Sequence, residues 1–554
     1  MEYRIIFLHN RKRLVLECRT GGDREAEKGQ TSGMNFGTLL RNTTNRYRDN
    51  TAVWCEGESL THGELFERSC RFANALTARG LDKGDRVALL GPNGLEQPEQ
   101  MVGAAFGGFV RVTCYAHETG EVNAYMIGLT EARILILHWA HYERMRPHLS
   151  NLTSLESIWV YGGAAPEGTE SYEEILAAAS PQFRDIETSP DDLHVIRFSA
   201  GTTGRPKGIV HTLGAWLAVN NEYRWVTPQL DEHDAYLCAG QLSHAALLWF
   251  WQTLEVGGRI VLMPTFDAGE FLRLVEEQKC TVTLLVPTMI SAILAHPDLD
   301  DRDVSSMRCL NYAASPIAER TMARAIEKFG NVLYQLYAQS EVPIVTMLQP
   351  YQHVPDGTDA ERMLMRSVGR PSPATNLIIV DDDGSEVEIG EIGEIAVKND
   401  ALMLGIWQNP EATAERFLKN GYMLTRDMGY LDENGFLFIA DRKEDMIISG
   451  GYNIWPAEVE NAVAAHPGVH EVCVVGVPHE KWGETPKAYV VTVPGIQMSA
   501  DEIIAKSREV LGPIKKVTSV EFVSVLPKSG VGKILRRELK SRQWGESKIR
   551  VGGA

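Results

Sequence analysis

A segment rich in glycine and small hydroxyl side chains, residues 197–212, constrains the fold of this chain more than any other stretch. Backbone N–H groups beside a glycine can approach an anion closely, because no Cβ stands in the way. Hydroxyls add neutral hydrogen-bond donors, and a lysine adds positive charge. The pattern therefore predicts a phosphate-binding loop between two strands, at residues 193–196 and 209–210. The groups that would surround a phosphate come from Ser199, Gly201, Thr202, Thr203, Gly204, Arg205, Lys207 and Gly208.

Two other interpretations of this segment, a flexible surface linker and the common nucleotide-binding loop, fit its residues less well than a phosphate loop of another kind. A flexible surface linker has no need of Pro206, Lys207 and Gly208 directly behind the glycines. The nucleotide-binding loop G-x-x-x-x-G-K-[ST] requires a serine or threonine after the lysine, whereas Gly208 follows Lys207. A second glycine-flanked lysine, Lys533, also fails this pattern, because Pro527 stands where the first glycine belongs. We therefore expect a phosphate loop of another kind.

Length and composition narrow the class of protein. A chain of 554 residues can bury a large core and form more than one domain. The formal net charge of −18 argues against a nucleic-acid partner and against an anionic membrane surface. No apolar run approaches the length of a membrane span, and the N-terminus lacks the pattern of a signal peptide. The eight cysteines are scattered without a C-x-x-C pair, which is typical of a reduced, cytoplasmic protein.

Apolar strands alternate with amphipathic helices along most of the chain. This alternation predicts an α/β protein whose large N-terminal domain consists of layered α/β subdomains around mostly parallel sheets. Thr61 and Glu64 form the pattern of a capping box at the start of a helix. Strand patterns at 472–477, 488–493 and 520–526, with a helical pattern at 500–511, predict a small, mobile α+β domain at the C-terminus. Residues 1–33, which end in a polar, glycine-rich stretch, are expected to be a mobile extension.

Further segments resemble the motifs of a known family. C-L-N-Y-A-A-S-P at 309–316 resembles the turn G-G-A-P, and Q-L-Y-A-Q-S-E at 335–341 resembles Q-G-Y-G-x-T-E. G-Y-M-L-T-R-D at 421–427 resembles G-W-x-x-T-G-D, and P-K-S-G-V-G-K-I-L-R-R at 527–537 resembles P-x-T-x-S-G-K-I-x-R-R. With the phosphate loop and the charged segment 441–460, they follow the order of the acyl-adenylate-forming superfamily, which includes acyl- and aryl-CoA synthetases. The resemblance covers roughly residues 34–545.

The resemblance implies a nucleotide site. The phosphate loop would hold the pyrophosphate, a backbone turn would lie along the adenine, and an aromatic ring would stack on it. A carboxylate and an arginine would contact the ribose. Glu341 would bind Mg²⁺, a hard cation that shares its ligand shell with phosphate oxygens, and Ser340 would lie near the α-phosphate. The nucleotide-binding residues implied are Ser199, Thr202, Thr203, Gly204, Lys207, Ala313, Ala314, Ser315, Tyr337, Asp427 and Arg442.

The same resemblance implies a catalytic lysine and a moving domain. Lys533 would bridge the carboxylate and the α-phosphate oxygens during adenylation. A rotation about Glu444, at the hinge position, would then exchange Lys533 for a pantetheine tunnel at Gly451. The implied domains are residues 34–443, which bind AMP, and residues 444–554, which carry the lysine.

Three positions depart from the motifs by replacing a glycine. Ala313 and Ala314 stand at the glycines of the adenine turn, and Arg426 stands at a glycine of the ribose motif. A residue with a Cβ is less free than glycine to adopt a positive φ. Arg426 would add positive charge near the nucleotide, although an exposed arginine is equally consistent with the sequence.

Other residues bear on the acid substrate. His244 matches a position that borders the carboxylate pocket in the family, although a histidine satisfied within the core explains it as well. The aromatic run 245–251 is more typical of a core than of a pocket wall. Leu336 and Ala338 replace motif glycines and add bulk where the acyl pocket lies in relatives. Together these features favour an apolar or aromatic carboxylate of limited size.

The sequence therefore predicts an AMP-forming acid–CoA ligase. It would convert a small carboxylic acid of fatty or aromatic acid metabolism and ATP, with Mg²⁺, into an acyl-AMP, which coenzyme A would turn into a thioester. A stand-alone ligase that loads a carrier-protein thiol is the main alternative, and luciferase-type oxygenation would use the same residues. An inactive nucleotide-binding module would require loss of Lys533, Glu341 or Asp427, and all three are present. We expect a cytoplasmic enzyme with no nucleic-acid partner and no membrane span, and a homodimer is the assembly we consider.

Overall fold

The computed structural model describes residues 3–7, 14–18, 35–199, 205–315, 317–443, 445–450, 452–493, 495–528 and 534–544. The chain divides into two compact units, residues 1–33 and 34–554. In the first unit, the strands β1 (Tyr3–Phe7) and β2 (Leu14–Cys18) pair in an antiparallel ladder. The glycine-rich end of the predicted mobile extension lies outside the described residues.

Strands and helices alternate along the second unit. Its strands are β3 Thr51–Cys55, β4 Glu58–Thr61, β5 Arg86–Leu90, β6 Val110–Thr113, β7 Ile134–His138, β8 Ser157–Tyr161, β9 Glu170–Ser171, β10 Leu193–Ser199, β11 Lys207–Thr212, β12 Ala235–Cys238, β13 Arg259–Leu262, β14 Val282–Leu285, β15 Cys309–Tyr312, β16 Leu333–Tyr337, β17 Thr346–Leu348, β18 Arg370–Pro371, β19 Asn376–Val380, β20 Gly393–Lys398, β21 Gly405–Ile406, β22 Met423–Leu431, β23 Leu437–Arg442, β24 Ile447–Ser449, β25 Tyr452–Ile454, β26 Val469–His479, β27 Gly483–Thr492 and β28 Ser519–Phe522. Its helices are α1 Phe36–Tyr47, α2 His62–Ala78, α3 Glu96–Gly107, α4 Gly120–Thr130, α5 Tyr142–Leu149, α6 Tyr172–Ala178, α7 Leu213–Val226, α8 Phe250–Glu255, α9 Ala268–Gln278, α10 Pro287–Leu294, α11 Glu319–Phe329, α12 Asp359–Leu364, α13 Pro410–Ala414, α14 Pro456–Ala464, α15 Ala500–Lys515 and α16 Arg536–Trp544.

Two large sheets form the body of the second unit. Within the described ranges, one has the strand order β21-β11-β10-β6-β5-β7-β8-β9 and the other β18-β17-β16-β15-β14-β12-β13-β3-β4. The interior strands are parallel, for example β6-β5-β7 and β16-β15-β14-β12-β13. Most of their side chains are apolar and buried on both faces, as covered parallel sheets require. The predicted α/β class with mostly parallel sheets is confirmed.

Two smaller sheets follow toward the C-terminus. β19, β20, β22 and β23 form an antiparallel sheet, and β25-β24-β27-β26, with β28 beside β27, form another. α14 and α15 pack on this last sheet through Val459, Val463 and Ile503. α15 is interrupted at Gly512, which has φ +78°, next to the predicted end of the helix at residue 511. The expected small α+β domain at the C-terminus is confirmed, although its last strand ends at Phe522 rather than at residue 526.

The predicted capping box at the start of α2 is also confirmed. The Glu64 amide donates to the Thr61 hydroxyl at 3.1 Å, and the Thr61 amide donates to a Glu64 carboxylate oxygen at 2.8 Å. Two otherwise unpaired N–H groups at the helix start are satisfied in this way. α2 then buries Leu65, Phe72 and Leu76 in the core that it shares with α3.

The aromatic run 245–251 lies in the core, as its sequence predicts. Trp249 and Trp251 are fully buried. The Trp249 indole donates to Asn311 Oδ1 on β15 at 3.0 Å, so it joins the helical layer to the second sheet. The cysteines whose side chains are described are free and buried. Within the same ranges we find no helix with the length and apolar character needed to cross a bilayer.

Candidate active site

The predicted phosphate loop connects β10 and β11. These strands pair in antiparallel register, with Ser199 opposite Lys207 at the mouth of the hairpin. The first strand therefore delivers a hydroxyl, and the second a cation, to the two ends of the loop. Gly208 packs closely, because a Cβ at this position would lie 3.1 Å from side-chain carbons of Ile196 and Trp407, which is tighter than an ordinary contact. Four residues expected around the phosphate, Gly201, Thr202, Thr203 and Gly204, lie outside the described residues.

The predicted adenine turn follows β15, on the neighbouring sheet. Ala313 is buried, Ala314 is exposed and Ser315 is partly buried. Ala314 has φ +76°, in the left-handed region that glycine adopts most easily. The chain thus keeps the backbone geometry of a glycine turn without the glycine. Arg426, the other replacement of a motif glycine, also has a positive φ of +63°.

A buried carboxylate, Asp427 on β22, collects the predicted ribose and adenine groups. One of its oxygens accepts from the Tyr337 hydroxyl at 2.7 Å and from Gln339 Nε2 at 2.5 Å. The other lies 3.1 Å from Arg442 Nε, on the adjacent strand β23. Three of the predicted nucleotide-binding residues, Tyr337, Asp427 and Arg442, therefore meet at one point. Gln339 was not predicted, because the motif leaves its position unspecified.

Burial and the Asp427 charge raise the Tyr337 pKa well above its usual value. Tyr337 therefore keeps its proton at neutral pH and acts as a hydrogen-bond donor to Asp427. The Gln339 amide also donates to the carbonyl oxygen of Thr425, two residues before Asp427, at 2.9 Å. The end of β16 and the start of β22 are thus joined by several hydrogen bonds, which fix the carboxylate in position.

Glu341 lies just beyond β16 and forms an ion pair with Arg416. Arg416 Nη1 donates to Glu341 Oε1 at 3.0 Å, and both side chains are largely buried. The Glu341 carbonyl accepts from the Met403 amide at 2.8 Å, so its backbone is held as well. Neither contact was predicted, because Arg416 lies in no motif. Ser340, the residue before Glu341, is partly buried.

The donor set around Glu341 fits a Mg²⁺ ion that is bound together with a nucleotide. Among the described residues, no hydrogen bond reaches Glu341 Oε2, which leaves one carboxylate oxygen for a metal. The same part of the chain contains no group of three or more histidine, cysteine or acidic side chains arranged for a metal ion. Mg²⁺ commonly takes one or two carboxylates and completes its shell with phosphate oxygens and water.

His244 lies beside the strand that leads into the phosphate loop. Its ring stacks on Tyr115, with 4.2 Å between centroids, and its Nδ1 lies 2.9 Å from the Ser243 hydroxyl. Tyr115 in turn accepts a hydrogen bond from the Phe198 amide at 3.0 Å and donates to the Phe198 carbonyl. Burial, with the nearby Arg197 charge, lowers the His244 pKa to about 3, so the imidazole is neutral. His244 is thus a neutral ring adjoining the loop, and it remains partly exposed.

The segment expected to carry the catalytic lysine is tied to the proposed hinge. Arg536 Nη1 lies 3.0 Å from Asp441 Oδ1 and 3.1 Å from Asp445 Oδ2, on either side of residue 444. Arg536 Nη2 also donates to both oxygens of Glu460, at 2.7 and 2.9 Å. Lys528 and Ile534 form an isolated bridge that brings together the two ends of the lysine loop. Three expected residues, Glu444, Gly451 and Lys533, lie outside the described ranges.

Comparison with known families identifies the family of this chain. The model for AMP-binding enzymes matches residues 40–407, about two-thirds of the chain. The chain belongs to the AMP-binding enzyme family. The model for the C-terminal domain of AMP-binding enzymes matches residues 458–533. The predicted acyl-adenylate-forming superfamily is therefore confirmed, with its large N-terminal and small C-terminal domains.

Individual relatives extend this similarity over nearly the whole chain. A medium/long-chain-fatty-acid–CoA ligase, FadD8, of Mycobacterium tuberculosis is 33% identical over 539 residues, which cover 93% of this chain and 91% of the relative. A feruloyl-CoA synthase of an Amycolatopsis species is 36% identical over 496 residues, covering 89% and 96%. Among solved structures, the amide bond synthetase McbA of Marinactinospora thermotolerans has a TM-score of 0.82 at 28% identity, covering 92% of this AMP-binding enzyme and all of McbA.

Proposed function

We propose that this AMP-binding enzyme is an ATP-dependent acid–CoA ligase. It activates a carboxylic acid as an acyl-AMP and then transfers the acyl group to the thiol of coenzyme A. The observation that carries the proposal is the meeting of Tyr337, Gln339 and Arg442 on buried Asp427. Tyr337 and Gln339 lie four and two positions before Glu341. The similarity of this chain to named CoA ligases, over about nine-tenths of their length, supports the same chemistry.

Adenylation joins two anions, so the site must absorb charge and hold the reactants in line. In our proposal, Ser199, Thr202, Thr203, Gly204 and Lys207 hold the phosphates that leave. Ala313, Ala314 and Ser315 lie along the adenine, and Tyr337 packs against it. Asp427 and Arg442 contact the ribose. Ser340 lies near the α-phosphate, and Lys533 bridges the oxygens of the carboxylate and the α-phosphate.

Glu341 is the residue that we propose holds Mg²⁺. When bound, the ion would supply positive charge to the phosphate oxygens. Arg416 has a separate role in this proposal, since its ion pair with Glu341 holds that side chain in position from the protein side. His244 is proposed to border the carboxylate with a neutral ring, which would let the anion approach without a competing proton transfer.

The second half-reaction needs the thiol to arrive where Lys533 had been. We propose that the large domain, residues 34–443, and the small domain, residues 444–554, rotate relative to each other about Glu444. The rotation would withdraw Lys533 and present Gly451 as part of the pantetheine tunnel. The Arg536 contact with Asp441 crosses residue 444, so this rotation would break it, whereas the contact with Asp445 would be kept.

We further propose that the acid is apolar or aromatic and of limited size. Leu336 is buried, and Ala338 packs on the same core cluster, which narrows the space next to Tyr337. The relatives named above act on fatty acids and on ferulate, which span these two chemical classes. A cytoplasmic location and a homodimer complete the proposal.

The experiment that tests this function measures pyrophosphate release with ATP and Mg²⁺ over a panel of carboxylic acids, each with and without coenzyme A. Release that needs coenzyme A for turnover, with a thioester product, would support the ligase and identify its acid class. Acyl-AMP that coenzyme A does not consume would favour a carrier-protein thiol as acceptor. An Asp427→Ala variant is the control, since it should lose ATP binding if Asp427 holds the ribose.

A further inference from the structure

Two buried arginines lie on the adjacent strands β6 and β10, and neither has an acidic partner among the described residues. Arg111 on β6 and Arg197 on β10 are 3% and 8% exposed, and their strands pair in parallel. Arg111 Nη2 donates to His194 Nε2 at 3.4 Å, and the Arg197 guanidinium lies 5.6 Å from the Trp216 ring centre. Among the described residues, neither arginine forms an ion pair, and the Nε of each is buried without a hydrogen bond.

The surroundings of these arginines do not neutralise them. The rings that face them, His194, His211 and His244, have pKa values lowered by burial and by the arginines, so they are neutral and supply no compensating charge. Glu341 is the carboxylate whose charge reaches Arg197, and it already pairs with Arg416. Burial and the neighbouring Arg197 lower the pKa of Arg111 to about 9.

An unpaired buried cation is costly, because water that solvated it is lost and no protein anion replaces it. Packing against Trp216 does not require a charge, since a methionine of similar length would cover the same ring. The arrangement is therefore explained better by an acceptor that arrives with the substrate. An arginine presents five N–H donors in a rigid fork, which suits a carboxylate or a carbonyl group.

The position of Arg197 places this acceptor within reach of the proposed acid pocket. Arg197 lies two residues before Ser199, where the phosphate loop begins, and its charge acts on both His244 and Tyr115. Arg111 is more deeply buried and lies on the next strand. Two neighbouring guanidinium groups carry more positive charge than is needed to bind the single carboxylate that attacks ATP. Hydrogen bonds from both would also reduce the nucleophilicity of that oxygen.

We propose that Arg197, supported by Arg111, binds a second oxygen acceptor on the acid, a keto group or a second carboxylate, in addition to the carboxylate that reacts. This inference rests on the proposed ligase function and specifies its substrate class. The acyl chain would lie against apolar side chains along its length and end at the two guanidinium groups. Leu336 and Ala338 would restrict its width.

The test uses the full-length enzyme and acids matched in length, from five to nine carbons. Each length is supplied as the plain monocarboxylate, the acid with a keto group next to its far end, and the dicarboxylate. kcat/KM for pyrophosphate release is measured for each. At the best length, we expect the keto acid or the dicarboxylate to exceed the plain acid by at least tenfold. Comparison of those two series identifies the acceptor.

Variants of the two arginines then test whether these residues cause the preference for acids with a second oxygen acceptor. Arg197→Met should reduce the ratio of kcat/KM for the acceptor-bearing acid over the plain acid by at least tenfold, and Arg197→Gln should reduce it less. Arg111→Met gives a second test if Arg197 variants fold poorly. Arg86→Met is the matched control, because Arg86 on β5 already donates to the carbonyls of Thr130 and Glu131, and the ratio should not change.

Three outcomes would overturn the inference. The parent enzyme could prefer plain acids at every length. Arg197→Met could lower kcat/KM equally for all acids, which would assign Arg197 to the reacting carboxylate or to folding. Finally, no acid of any class could release pyrophosphate, which would refute the proposed ligase function and this inference with it. The first two outcomes leave ligase activity intact, so they are distinguishable from the third.

Discussion

The alanine pair at the adenine turn offers a test in which two adjacent residues should respond with opposite signs. Ala314 has φ +76° and is exposed, whereas Ala313 is 8% exposed and is not among the residues with a positive φ. We predict that Ala314→Gly stabilises the protein and that Ala313→Gly destabilises it. The two variants delete the same methyl group from neighbouring positions, so each is the matched control for the other.

The magnitudes follow from the backbone geometry. A left-handed φ costs a non-glycine residue about 1–2 kcal/mol. Glycine at position 314 removes that cost but gains about 0.4–1 kcal/mol of conformational freedom in the unfolded chain, which leaves a net stabilisation of about 0.5–1 kcal/mol. Ala313→Gly loses about 1 kcal/mol through unfolded-state entropy and about 0.8 kcal/mol through the buried methyl group.

The two variants should therefore differ by roughly 2–3 kcal/mol in the free energy of unfolding. At about 2 cal/mol/K of unfolding entropy per residue, a cooperative unit of roughly 400 residues would show a Tm difference of about 2–4 °C. Scanning calorimetry of parent and variants under identical conditions resolves this difference. An Ala314→Gly variant whose Tm falls as much as that of Ala313→Gly would refute this prediction, because the turn would then not be strained by its alanine.

Three further predictions concern catalysis, the Glu341 ion pair and pH. Lys533→Ala should abolish acyl-AMP formation yet spare thioester formation from supplied acyl-AMP. Glu444→Pro should spare acyl-AMP formation and abolish thioester formation. Equal loss of both half-reactions in either variant would contradict the assignment of the lysine to the first half-reaction and of the hinge to the second. Glu341→Gln should abolish Mg²⁺-dependent pyrophosphate release. It should also lower Tm, because about 3 kcal/mol of stability is lost when a buried cation loses its partner. Adding Arg416→Met to this variant should restore Tm but not activity. Burial lowers the pKa values of His211 and His244 from 6.5 to about 3; the unfolded chain therefore takes up more protons, and Tm should be steady above pH 6.5 and fall as pH decreases from 6.5 toward 3. A Tm that does not change between pH 7 and pH 5 would show that these rings are protonated in the folded protein.

Local patterns predicted the elements that depend on neighbouring residues. The Thr61 capping box and the strands on both sides of the phosphate loop follow from short-range hydrogen bonding and from the alternation of apolar residues. Motifs predicted Asp427, Tyr337 and Arg442, because each position is specified by its spacing within a short segment. The structure brings these three side chains together, and their roles in nucleotide binding stay predictions.

Contacts between distant segments could not be predicted in the same way. Arg416 meets Glu341 across 75 positions of sequence, and Gln339 meets Asp427 across 88. Neither Arg416 nor Gln339 occupies a specified motif position. Only the three-dimensional approach of the segment after β16 to residues 416–427 reveals these contacts. The pairing of Arg536 with Asp441 depends likewise on the approach of α16 to β23. Charge alone gives no signal for such pairs, since the chain contains 55 lysines and arginines and 73 aspartates and glutamates.

The arginine that joins the lysine loop to the hinge has a consequence for the resting distribution of conformations. Asp441 lies before residue 444, whereas Arg536 and its other partners, Asp445 and Glu460, lie after it. A rotation about residue 444 would separate Asp441 from Arg536 and from the Ala457 amide, while Arg536 keeps its remaining acids. Two charge-assisted hydrogen bonds, each contributing about 1.5–3 kcal/mol, would favour the observed arrangement before any ligand binds. Only a small fraction of molecules would then be in the rotated conformation that binds the thiol substrate. The apparent affinity for the thiol would be reduced by that fraction.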